Sequence, residues 1–184
     1  MSGTEQDLVA RAIEGSLEAF DELVELHQGR VFALAYRILA NREDAADAQQ
    51  ETFVKAWRSL GKFRGDAAFS TWLHRITVNL CLSRKRRKDW TPMAEFTEDI
   101  LSYSAGPSAA ACLERAETSA VVRRVLMAMP ANHRALLVLR EIEERSFEEI
   151  AAVLGCSIES ARVRCGKARN VMRERLRPYL AADG

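Results

Sequence analysis

Two short capped segments on either side of one glycine, Ser146 to Arg177, restrict this chain more than any other stretch. It reads SFEEIAAVLGCS followed by IESARVRCGKARNVMRERLR. Ser146 and Glu149 have the spacing of a capping box, in which each side chain satisfies the other residue's backbone N–H. Ile150, Ala151 and Leu154 give the first helix an apolar stripe, and Gly155 is placed to end it in the left-handed conformation. Ser157 then caps a second helix. Two helices around a tight glycine turn, the second one basic, form a DNA-reading helix-turn-helix.

At 100° per residue, Ile158, Ala161, Cys165, Ala168, Met172 and Leu176 share one stripe of the second helix and are predicted to face inward. Ser160, Val163, Lys167 and Asn170 lie opposite, with Arg162 and Arg164 on the flanks. Residues 160–177 hold seven Lys or Arg against one Glu. With so few acids available for i, i+4 pairing, phosphate and base edges are the natural partners of this face.

The net charge of +1 conceals an alternation. Residues 1–57 carry −6, residues 58–90 carry +7, residues 91–159 carry −5 and residues 160–184 carry +5. Two separated basic blocks point to one polyanion touched at two places. The four cysteines, Cys81, Cys112, Cys156 and Cys165, form no CxxC pair, so a zinc site has little support and reduced thiols are expected. His27, His74 and His133 are isolated and read as surface or core-edge residues. No metal or other cofactor is implied. No apolar run reaches the ~18 residues of a membrane span, and the polar start MSGTEQD does not read as a signal peptide. The expected location is the cytoplasm.

Residues 5–40 read as two helices, the second capped by Ser16, with Leu17, Phe20, Leu23, Val24, Val31, Leu34, Ala35, Ile38 and Leu39 as core. Asn41 offers the next cap, for a helix running to about Leu60. Ala45, Ala48, Thr52, Phe53, Ala56 and Leu60 fall on its buried side. Asp47, Gln50, Glu51, Val54 and Arg58 share the other, with Trp57 at the edge. An exposed Val beside an edge Trp suits a protein interface better than a solvated face.

Residues 61–75 read GKFRGDAAFSTWLHR and interleave Phe63, Phe69 and Trp72 with Arg64 and Arg75. Cations follow a nucleic-acid backbone while ring faces take unstacked bases. Stacking of this kind contributes ~1–3 kcal/mol per base, comparable with the few kcal/mol that unpairing costs. From Ser70 or Thr71 a fourth helix is predicted to run into five consecutive cations, Arg84 to Lys88. Residues 91–111, rich in Pro, Gly, Ser and Ala, lack any sustained period and read as a linker. Helical patterning resumes near Leu113. Pro130 fits the first turn of a helix whose Leu136, Leu137, Leu139 and Ile142 can face the helix-turn-helix. The expectation is all-α: one helical unit over 1–90, the linker, and a second unit over 112–184.

Taken together, DAADAQQETFVKAW at 44–57, FRGDAAFSTWLHRITVNLCL at 63–82 and MPANHRALLVLREIEERSFEEIAAVLGCSIESARVRCGKAR at 129–169 resemble the extracytoplasmic-function (group 4) sigma factors of bacterial RNA polymerase. The resemblance spans nearly everything but the linker. It implies a sigma region 2-like bundle followed by a sigma region 4-like helix-turn-helix, and a promoter-specificity subunit without catalysis of its own. The implied partners are core RNA polymerase, through its β and β′ subunits, promoter DNA and an anti-sigma factor. On it, Asp47, Gln50, Glu51, Val54 and Trp57 engage core polymerase. Phe63, Arg64, Asp66, Phe69, Ser70, Thr71, Trp72, Arg75, Asn79, Arg84 and Lys85 meet the single-stranded −10 element. Arg140, Ser160, Arg162, Val163, Arg164, Gly166, Lys167 and Arg169 meet the double-stranded −35 element.

The chain departs from the family pattern at Glu159-Ser160-Ala161, where members commonly carry Gly-Thr-Val, and at Val163, where they commonly carry Ser or Thr. Val163 is suited to a thymine methyl, and Gly166 to close approach of the backbone. A helix-turn-helix regulator with an N-terminal sensing domain would account for residues 146–177 but leaves the aromatic-cationic loop and the acid-plus-Trp face unused. No phosphate-binding glycine loop or nucleophile-base pair supports an enzyme.

Overall fold

The computed structural model describes residues 4–88 and 120–180, and among them there is helix and no strand. The linker expected over 91–111 lies outside the described residues. Helix α1 spans Glu5–Ile13, capped by Thr4 and Asp7 in a reciprocal box. Helix α2 spans Leu17–Leu39 behind Ser16, whose Oγ accepts from the Ala19 N–H at 3.2 Å. Helix α3 spans Arg42–Ser59 behind Asn41, whose Oδ1 accepts from the Asp44 N–H at 2.9 Å. After a 3₁₀ turn at Leu60–Lys62, α4 runs from Phe69 to Lys88. No helix among the described residues is long and apolar enough to cross a membrane.

In the second unit, α5 covers residues 120–127 and α6 spans Ala131–Leu137, with Pro130 at its cap position. A π-helical turn, Val138–Ile142, continues α6. Helix α7 spans Phe147–Leu154 and α8 spans Ile158–Leu180. The capping box of Ser146 and Glu149 forms, and Gly155 ends α7 at φ 63°. That left-handed turn is nearly free for glycine and strained for other residues.

Leu8, Leu23, Phe53 and Leu73 anchor a core inside the first unit. A second core crosses the units. Leu34, Ile38 and Val78 of α2 and α4 share it with Leu136, Leu139, Ile150 and Val153. Helix α4 packs on α7, and α2 packs on α6. Polar bridges border this seam: Thr71 Oγ1 donates to Glu149 Oε1 at 3.3 Å, Arg145 Nη2 donates to His74 Nδ1 at 3.1 Å, and Arg37 pairs with Glu143.

Several expectations change. His27 and His74 are buried, at 4% and 3% exposure, because His27 lies under α1 against Glu5 and His74 lies in the seam. Ile158 and Ile142, both expected inside, are 42% and 43% exposed. Ile158 opens α8 before the helix meets its neighbours, and Ile142 ends the π turn, whose altered period rotates it outward.

Candidate nucleic-acid interface

Burial of Ala161, Cys165 and Ala168 fixes the rotation of α8. Their spacing of four and three turns Arg162, Val163, Arg164 and Lys167 to the surface, with Val163 at 52% exposure. Ser157 Oγ accepts from the Ser160 N–H at 3.2 Å, which leaves the helix start ordered. Ser160 and Gly166 are half-buried on the flanks. A Cβ added at Gly166 would meet nothing within 4 Å, so no packing inside the chain requires a glycine there. Arg169 is exposed, and Glu141 accepts from its Nε at 2.8 Å and its Nη2 at 2.7 Å.

Arg140 lies in the π turn, and its Nη1 donates to the Arg145 carbonyl at 2.7 Å. Its guanidinium rests over the Phe147 ring, 4.6 Å from the centroid, and that of Arg162 lies 5.4 Å from the same centroid. Sequence reasoning passed over Phe147. The signal available was an aromatic at the first helical position, directly behind the capping Ser146. The Glu148 carboxyl beside it is held below its usual range, by its own backbone N–H and Ser146 first and by Arg162 and Arg140 after them.

The loop of residues 63–68 leads into α4 and closes around a cavity of about 210 Å³ lined by Phe63, Arg64, Asp66, Trp72 and Arg75 from the loop side and Ala152 from α7. Phe63 and Trp72 are half-buried with ring centroids 5.2 Å apart. Arg64, Asp66, Arg75 and Asn79 are exposed, and Ser70 is half-buried. Two members of the set are differently placed. Phe69 is 4% exposed, its ring spent on Phe63, Trp72 and His27, so its face is closed to a base. Thr71 is 6% exposed and faces α7.

On α3, Asp47, Gln50 and Val54 are exposed and Glu51 is half-buried, one continuous surface strip. Trp57 is shared between surface and core, packing on Phe20 with centroids 5.0 Å apart. Arg84, grouped with the −10 contacts by resemblance, turns instead toward this strip and bonds Glu51 at 2.7 Å. That bond, with help from Lys55, holds the Glu51 carboxyl below its usual range. Lys85 follows on the last turns of α4. Burial raises the Cys81 thiol to about 12, which leaves it inert as a nucleophile.

Residues 23–91 match the Sigma-70 region 2 family and residues 119–172 match Sigma-70, region 4. The chain is 36% identical to the RNA polymerase sigma-H factor of Pseudomonas aeruginosa, over 96% of this chain and 95% of that one. It is 37% identical to the ECF RNA polymerase sigma factor SigM of Mycobacterium tuberculosis, over 90% and 81%. Among solved structures it resembles CnrH in complex with the cytosolic domain of CnrY, at TM-score 0.65 and 31% identity, covering 99% of this chain and 100% of that one. The fold is also that of the sigma factor RpoE of Bartonella quintana in complex with the anti-sigma factor NepR, at TM-score 0.68 and 22% identity over 88% and 98%. Two family matches in the right order and relatives of this identity over nearly the full length place the chain in the sigma-70 family, among the ECF RNA polymerase sigma factors.

Proposed function

We propose that this sigma factor docks on core RNA polymerase through Asp47, Gln50, Glu51, Val54 and the exposed edge of Trp57. It reads the double-stranded −35 element with α8 and Arg140, and takes an unpaired −10 base into the loop cavity bounded by Phe63, Arg64 and Trp72. The observation that carries the reading is the outward placement of Arg162, Val163, Arg164 and Lys167 on a helix held from the other side by buried Ala161, Cys165 and Ala168. Three cationic donors and one apolar side chain fixed on one rigid helix fit a major groove. The protein acts in the cytoplasm and supplies specificity, not catalysis. An anti-sigma factor is its expected regulator, as the sigma factor RpoE, whose fold this chain shares, was solved in complex with one.

Gel filtration with core polymerase, paired with transcription from a promoter library, tests this. Lys167→Ala lowers initiation from promoters carrying a −35 element by about tenfold and leaves polymerase binding intact. Val54→Asp, at a surface position, does the reverse. Equal losses in both assays from either change would remove the assignment.

A further inference from the structure

Arg140 and Arg162 come from different elements and converge on one ring. We infer that Phe147 is a positioning residue for the −35 contact, holding both guanidiniums in a fixed relation before DNA arrives. Two like charges drawn together on the protein surface repel each other. The ring of Phe147 attracts each of them, at 4.6 and 5.4 Å from its centroid, within the ~6 Å over which a ring acts on a cation, and adds to the charge of the neighbouring Glu148. Arg140 is pinned at a second point by the Arg145 carbonyl. Arginine is rich in rotamers, so a side chain already in place loses less freedom on binding. Phe147 carries no polar atom of its own with which to bond a phosphate or a base. Its influence on DNA runs through the two arginines.

The inference rests on the −35 reading given above, and the experiment separates the two. A promoter selected by the wild-type holoenzyme from a randomised library is compared with the same promoter scrambled at −35. Phe147→Leu is expected to cut the initiation ratio between them by about five- to tenfold, with core binding unchanged. Phe147→Tyr keeps the ratio. Replacing Phe147 by pentafluorophenylalanine keeps the ring's shape and removes its attraction for cations, so it lowers the ratio as Leu does even if the Leu variant folds poorly. A ratio unmoved by the fluorinated ring overturns the inference. A ratio unmoved by Arg140→Ala and Arg162→Ala as well overturns the −35 reading beneath it.

Discussion

Arg84 and Glu51 join α4 to α3 through one carboxylate oxygen, Oε2, which accepts from Arg84 Nη2 at 2.7 Å and from Nε at 3.2 Å. Asp47 Oδ2 lies 3.6 Å from the third nitrogen. The first cation of the basic run thus organises two acids of the proposed polymerase-binding strip. The pair is partly open to water, at 28% and 40% side-chain exposure, so its contribution to stability is modest. A double-mutant cycle with Arg84→Ala and Glu51→Ala is expected to give a coupling of about 0.5–1 kcal/mol in urea unfolding. Arg84→Ala should weaken core polymerase binding and leave the salt slope of −10 oligonucleotide binding unchanged. A slope reduced by one charge would place Arg84 on DNA instead.

Trp57 and Val54 separate two effects that a single substitution would merge. Trp57 packs on Phe20, so Trp57→Ala is expected to cost about 2 kcal/mol of fold stability as well as polymerase affinity. Val54 is 49% exposed, and Val54→Asp is expected to change stability by less than about 0.5 kcal/mol. Urea unfolding beside a polymerase-binding titration checks both. A Val54→Asp variant as unstable as Trp57→Ala would mean the strip belongs to the core.

The elements were legible in the sequence wherever local rules decide. Ser16, Asn41, Ser146 and Gly155 act as caps within a few residues of themselves, and the three-and-four spacing of Ala161, Cys165 and Ala168 orients α8. What the sequence hid depends on residues far apart. Thr71 meets Glu149 and His74 meets Arg145 only because α4 lies on α7. No period or charge block records that packing. Phe69 shows the same limit: an aromatic in a basic loop fits base stacking and core equally well until His27 and Trp72 are seen around it.

Gly166 allows a stability effect to be separated from the proposed −35 role. A glycine inside a helix costs about 1 kcal/mol relative to alanine, and an alanine Cβ would meet nothing within 4 Å here. Gly166→Ala is therefore expected to stabilise the fold by about 0.5–1 kcal/mol. If the bare backbone is there for DNA to approach, the same change weakens −35-dependent initiation by about tenfold. Stability and promoter strength rising together would show that the glycine serves neither purpose.

His74 makes the seam sensitive to acid. Burial first, then the charges of Arg145, His27 and Arg30, push its pKa down to about 4, with Glu149 alone pulling the other way. In the unfolded chain the value returns to about 6.5. Between those limits the unfolded state binds a proton that the folded state refuses. Stability is thus fully present above about pH 6.5 and is lost as pH falls toward 4. From pH 7 to pH 5 the expected loss from His74 is roughly 2 kcal/mol. His27, whose pKa is lowered chiefly by burial, adds a loss of the same sign. His74→Gln retains an acceptor for Arg145 and removes the titration. Urea unfolding at the two pH values should therefore show a much smaller loss in the variant. An equal loss in both proteins would mean that His74 takes up its proton alike in the folded and the unfolded chain, and would remove it as the acid-sensitive group of the seam.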